Sequence, residues 1–120
     1  MSLLKIIPKV IYADITIGLH FFTALGFEIK YAEEGFYVID RDGVTIQLIT
    51  SEANFSIGDR PEFRIETDDI EALYSEIKAK HPDILHPNLK VIKQQPWGLK
   101  EFAVHDATSV SVIFQQAYKL

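Results

Sequence analysis

The side chains best suited to chemistry are scattered along this sequence rather than clustered. Its four histidines are His20, His81, His86 and His105, and no two stand at the HxH or HxxxH spacing that brings two imidazoles onto one metal. Cysteine is absent, which excludes thiolate ligation, thiol nucleophiles and disulfides. Ser and Thr hydroxyls are plentiful, but none lies in a nucleophile elbow or at triad spacing. Gly43 and Gly98 are isolated, so no glycine-rich loop is present to cradle a phosphate. The remaining candidates are suited to binding. Arg60, Glu62, Arg64 and Glu66 alternate with Pro61, Phe63, Ile65 and Thr67, a period of two that puts charge on one face of a strand. That row is either a solvated face whose ion pairs contribute about 0–1 kcal/mol each, or a wall where Glu62 and Arg64 orient a polar ligand. Trp97, the only tryptophan, stands between Pro96 and Gly98 at the entrance to a strand. It either closes one end of the core or offers a flat ring to a planar ligand. Phe55 likewise either staples its loop or belongs to a lid.

The composition bounds these options. A chain of 120 residues supports one domain with a single core. Hydrophobic residues make up 48% and charged ones 24%, a globular balance. Twelve Lys and Arg against seventeen Asp and Glu give a net charge of −5, a field that repels nucleic acid and favours cationic ligands. No stretch reaches the roughly 18 apolar residues of a membrane span. Lys5 and Pro8 interrupt the only apolar run near the start, so no signal-peptide core is read and a cytoplasmic location is expected.

The elements that must position these residues occur twice. Residues 5–12 read as a strand, and Pro8 suits an edge. Asp14 caps a helix to about Leu25, with Ile15, Leu19 and Phe22 on one stripe and Gly26 just past its end. Strands follow over 27–32, 36–40 and 44–50, the last two joined by a turn at Asp42-Gly43. After a connection at 51–60, residues 63–67 form a strand and Asp69 caps a helix to Lys80, with Ile70, Leu73, Tyr74 and Ile77 as its buried stripe. Strands over 89–94, 99–105 and 110–116 complete a second βαβββ module. The predicted class is α+β. One helix covers one face of each small sheet, and two bare faces curved together would make an apolar trough for a ligand.

Several motifs then fall into order. Asp14-Ile15, His20-Phe21-Phe22 and Leu25-Gly26-Phe27 are followed by Arg41-Asp42-Gly43-Val44 and Ile46-Gln47-Leu48, then Phe63 to Tyr74, then Pro96-Trp97-Gly98-Leu99-Lys100-Glu101-Phe102. Together they resemble the vicinal oxygen chelate superfamily, in its glyoxalase and bleomycin-resistance branch, over about residues 5–116. The resemblance implies a curved, trough-like mixed sheet of two βαβββ modules, about 5–50 and 61–117, in a single domain. One departure is the last hairpin, where Asp106-Ala107-Thr108-Ser109-Val110 replaces the family's D-P-D-G-N and puts Ser at a position that favours positive φ.

Enzymes of that superfamily hold a divalent metal in the trough, and the resemblance places its ligands at Ile7, Gln47, Glu62 and Ile113. Two isoleucines donate no electron pair, and two oxygen donors are few for a hard cation. No metal and no cofactor is therefore expected, and each histidine is read as a surface residue. The function expected is sequestration of a small, planar molecule, which the charge would favour as cationic. The resemblance implies a homodimer with the trough at its interface, commonly with modules exchanged between chains. Trp97, Phe55, Glu62, Gln47 and Arg64 would line it. Phe36 or Tyr37 would add an aromatic wall, depending on whether the Gly43 hairpin carries a bulge, and Glu101 and Phe102 stay interchangeable in the same way. No catalytic residue is assigned. The alternatives are a metal-dependent glyoxalase or dioxygenase with a divergent site, and a structural or regulatory dimer with a filled trough.

Overall fold

The computed structural model describes residues 1–52 and 59–118. The chain divides into two compact units, Met1–Asn54 and Phe55–Leu120.

In the first unit, β1 (Lys9–Tyr12) leads into α1 (Ile15–Ala24), followed by β2 (Glu28–Glu33), β3 (Phe36–Arg41) and β4 (Val44–Thr50). The sheet order is β1-β4-β3-β2, with β1 parallel to β4 and the other pairs antiparallel. Pro8 precedes the edge strand, where its missing N–H costs no ladder bond; its carbonyl accepts from the Gln47 N–H at 2.9 Å. The strand expected over 5–12 is accordingly shorter.

Asp14 starts α1 because its carboxylate accepts from the Thr16 N–H at 3.1 Å, satisfying an orphan helix donor. At the other end Gly26, at φ 86°, allows a Schellman closure: Gly26 N–H donates to the Thr23 carbonyl and Phe27 N–H to that of Phe22. Arg41 on β3 reaches over and donates to the Leu25 carbonyl at 2.7 Å. The buried stripe of α1 is Gly18, Phe21 and Phe22, continued by Leu25. Ile15 and Leu19 are only half-buried, a correction to the expected stripe. Gly18 carries the difference, because its missing side chain leaves room for the Tyr12 ring.

The second unit repeats this plan. It runs β5 (Glu62–Glu66), α2 (Ile70–Lys80), a 3-10 turn at Pro82–Ile84, β6 (Lys93–Gln94), β7 (Leu99–His105) and β8 (Ser111–Ala117). Its order, β5-β8-β7-β6 with β5 parallel to β8, matches the first sheet strand for strand. Asp69 caps α2 through the Ala72 N–H at 3.1 Å; Ile70, Leu73 and Ile77 of the expected stripe are buried, and Tyr74 is half-buried. Tyr74 packs edge-on to Phe102, which in turn contacts Phe114. The strand expected over 89–94 shrinks to Lys93–Gln94, because residues 85–89 pair with β7 irregularly instead.

The two helices and two four-stranded mixed sheets make this the expected α+β class. Among the described residues, no helix is long and apolar enough to cross a membrane.

Candidate functional site

Each sheet has one face under its helix and one turned away from it. In the first unit the register settles which residues are where. Val10 pairs with Leu48 and Tyr37 with Leu48 on the α1 side, and Lys9 and Val38 flank Gln47 on the far side. The turn at Asp42-Gly43 has φ of 53° and 85°, the two positive values of a two-residue type I′ hairpin, so the ladder carries no bulge there. Of the two aromatic alternatives, Phe36 therefore shares the far face with Gln47, and Tyr37 turns to the helix. Directly opposite Gln47 stands Val38 rather than Phe36. A bulge between Ile29 and Tyr31 in β2 then brings Tyr31 to that same face, its ring 6.1 Å from Phe36. Ile11 and Ile49 pair on it as well. The result is an apolar, aromatic wall around one amide.

Its polar rim is tied down. Tyr31 Oη donates to Glu33 at 3.0 Å, which holds the phenol above its usual range, through the hydrogen bond first and the carboxylate's charge second. Asp40 accepts from the Thr45 hydroxyl and the Gly43 N–H, which hold it below the ordinary carboxylate value. Lys5 donates to Thr45 from the other side at 2.7 Å.

The far face of the second sheet is polar. Glu62, Arg64 and Glu66 project from β5 opposite Ser111, Ile113 and Gln115 of β8, and Glu101 of β7 lies across from Gln115. Arg64 donates to the Glu101 carboxylate and, at 3.2 Å, to the Gln115 amide oxygen. The side chain expected to orient a ligand is thus already engaged. The second open alternative also closes: Phe102 is in the core under α2, and Glu101 takes the far face. The last hairpin decides this, because Ser109 adopts φ 72° in a three-residue loop, with Ser109 N–H donating to the Asp106 carbonyl and Asp106 N–H to Val110. The Asp106 carboxylate clamps the loop by accepting from Thr108 and Val110.

Trp97 lies in a loop of the same kind. Gly98, at φ 92°, donates to the Gln95 carbonyl, Gln95 N–H donates to Leu99, and Tyr118 Oη donates to the Gln95 carbonyl. Trp97 is 60% exposed, so a place in the core of this unit is excluded. Six residue steps along β8 separate the Glu62 row, at Ser111, from the Trp97 end, at Ala117, or about 20 Å at strand rise. The structure therefore does not bring Trp97 and Glu62 together. Phe55 lies outside the described residues.

A divalent metal does not fit these residues. Ile7 and Ile113 carry no donor atom, and among the described residues no three His, Cys, Asp or Glu side chains gather to hold an ion. Two histidines read from the sequence as surface residues do prove to be partnered: the rings of His86 and His105 meet at a tilt, with centroids 4.6 Å apart. Their spacing of nineteen positions carries no local signal, and only the pairing of residues 85–89 with β7 joins them.

No family model matches the chain, and no curated protein matches it in sequence. Solved structures do match. The chain is similar to a bleomycin-binding protein complexed with bleomycin, with TM-score 0.79 at 17% identity over 95% of this chain and 98% of that one. A bleomycin resistance determinant encoded on transposon Tn5 gives 0.77 at 17% identity, over 96% and 98%. The bleomycin-binding protein of Streptomyces verticillus, complexed with copper(II)-bleomycin, gives 0.76 at 22% over 99% of both chains. At such identities the likeness establishes the fold, which is that of the glyoxalase and bleomycin-resistance proteins.

Proposed function

We propose that this chain is a metal-free receptor that sequesters a small, planar, cationic molecule without transforming it. The observation that carries this reading is the unlike chemistry of the two far faces. The first offers Phe36, Tyr31, Val38 and Ile49 around Gln47, suited to an aromatic group. The second offers Glu62 and Glu66, with the charge of Glu101 already answered by Arg64, suited to a cation. Trp97 would stack on the ligand's outlying part, since its row lies about 20 Å from Glu62 and a ligand touching both must be extended. The solved bleomycin-binding proteins support this class of ligand. A second copy of the chain would complete the trough in a homodimer held in the cytoplasm.

Metal analysis of the purified chain, run beside a Trp97 fluorescence titration with a panel that includes bleomycin, tests the reading. Saturable quenching without stoichiometric metal is the expected result, weakened by Glu62→Gln; Trp97→Ala removes the only indole, so its weaker binding is read by titration calorimetry instead. Tightly bound stoichiometric metal, or a flat titration with every cation of the panel, overturns it. Sedimentation at micromolar concentration tests the dimer separately.

A further inference from the structure

A cluster of titratable side chains stands at the outer edge of β7, apart from the residues assigned to ligand binding. Residues 85–89 run along that edge as a strap. Leu85 bridges Val104, His86 N–H donates to the Ala103 carbonyl at 2.9 Å, and Ala103 N–H donates to the Leu89 carbonyl at 2.9 Å. At its start the His86 ring lies 4.6 Å from that of His105, the last residue of β7, inclined by 52°. His86 Nδ1 accepts the Asn88 N–H at 3.1 Å. That bond requires a lone pair on Nδ1, so in this arrangement the imidazole of His86 is neutral with its proton on Nε2, a tautomer assigned from the network.

We propose that His86 and His105 form an acid-released latch, in which protonation of the pair detaches the strap 85–89 from β7. Two consequences of the geometry act together. A proton on His86 Nδ1 turns the acceptor of the Asn88 turn into a second donor facing an N–H. Protonation of both rings then sets two cations 4.6 Å apart, where they repel.

The electrostatics agree in direction. Burial is the leading cause that holds His105 below 6.5, and the field of His86 adds to it. Asp106, on the loop that follows β7 and accepting from Thr108 and Val110, opposes them as the smallest of the three causes. A histidine depressed on folding binds fewer protons folded than unfolded. The latched state is therefore at full strength above about 6.5 and loses stability as pH falls through the folded value.

Amide hydrogen exchange by NMR, corrected for intrinsic exchange rates, tests this at about pH 7.5 and 5.5. The expected result is a several-fold fall in the protection of Ala103 and His86 at the lower pH, with Val112 on β8 unchanged. A double variant, His86→Asn with His105→Gln, keeps an acceptor for Asn88 but cannot titrate, and in it the pH effect should vanish. Equal protection at both pH values in the native chain, or an undiminished fall in the double variant, overturns the proposal. Should that variant not fold, the native chain alone decides. The Asn88 and Ala103 amide shifts must then follow the imidazole titrations, and shifts that ignore them reject the latch.

Discussion

Arg64 and Glu101 form an ion pair whose two ends live in different solvents: the carboxylate is 2% exposed and the guanidinium 46%. Desolvation falls almost wholly on Glu101, so the pair is held together by what the carboxylate would lose without it. Arg64→Ala strands a charge in the sheet, whereas Glu101→Gln keeps a hydrogen-bonding oxygen beside Arg64. The expected cost of Arg64→Ala is about 2–3 kcal/mol, below the usual range for a broken buried pair because the arginine still meets water. Glu101→Gln should cost about 1 kcal/mol. Urea denaturation of both variants checks the order, and a milder effect for Arg64→Ala would contradict it.

Gly18 touches the face of Tyr12, a buried ring at the end of β1. A methyl group there falls inside the ring's van der Waals envelope, so the buried ring or the helix must shift. Gly18→Ala should therefore destabilise the chain by about 1–3 kcal/mol despite alanine's better helix propensity. A rise in melting temperature would show that Tyr12 has space in reserve.

Ser109 holds a positive φ of 72° where the matching loop at Trp97 uses Gly98 at 92°. A left-handed conformation costs an L-residue roughly 1–2 kcal/mol, and glycine returns about half of that to unfolded-chain entropy. Ser109→Gly should thus stabilise the fold by about 0.5–1 kcal/mol, read as a higher denaturation midpoint at unchanged slope.

Asp14 and Asp40 are both depressed below 3.8: Asp14 by hydrogen bonds from Thr16, Asp40 by those from Thr45 and then Gly43. Carboxylates depressed on folding stabilise fully above the unfolded value and lose that contribution as pH falls through the folded one. Melting temperature should accordingly drop below about pH 4. Asp14→Asn keeps the helix cap without the titration, so it should flatten that drop while leaving the neutral-pH value nearly unchanged.

Much of the fold was legible because local signals repeated. Asp14 and Asp69 each mark a helix start, and β4, β7 and the end of α2 follow directly from the runs over 44–50 and 99–105 and from His81-Pro82. Registers were not legible, since a one-residue slip reverses a strand's faces while leaving its composition unchanged. The backbone at Asp42-Gly43 and Ser109 decides between Phe36 and Tyr37, and between Glu101 and Phe102. The contribution of Tyr31 depends on the bulge at Lys30, and the meeting of His86 with His105 depends on pairing across nineteen positions. No residue-level pattern announces either.

The bulge in β2 has one more effect. This rim strand is solvent-facing along its whole length, carries Glu28, Lys30 and Glu33, and breaks step with its neighbour between Ile29 and Tyr31. Such a rim is a poor template for another molecule's backbone, so runaway stacking into fibrils is discouraged. A crooked, charged border of this kind lets the chain stay dispersed when crowded.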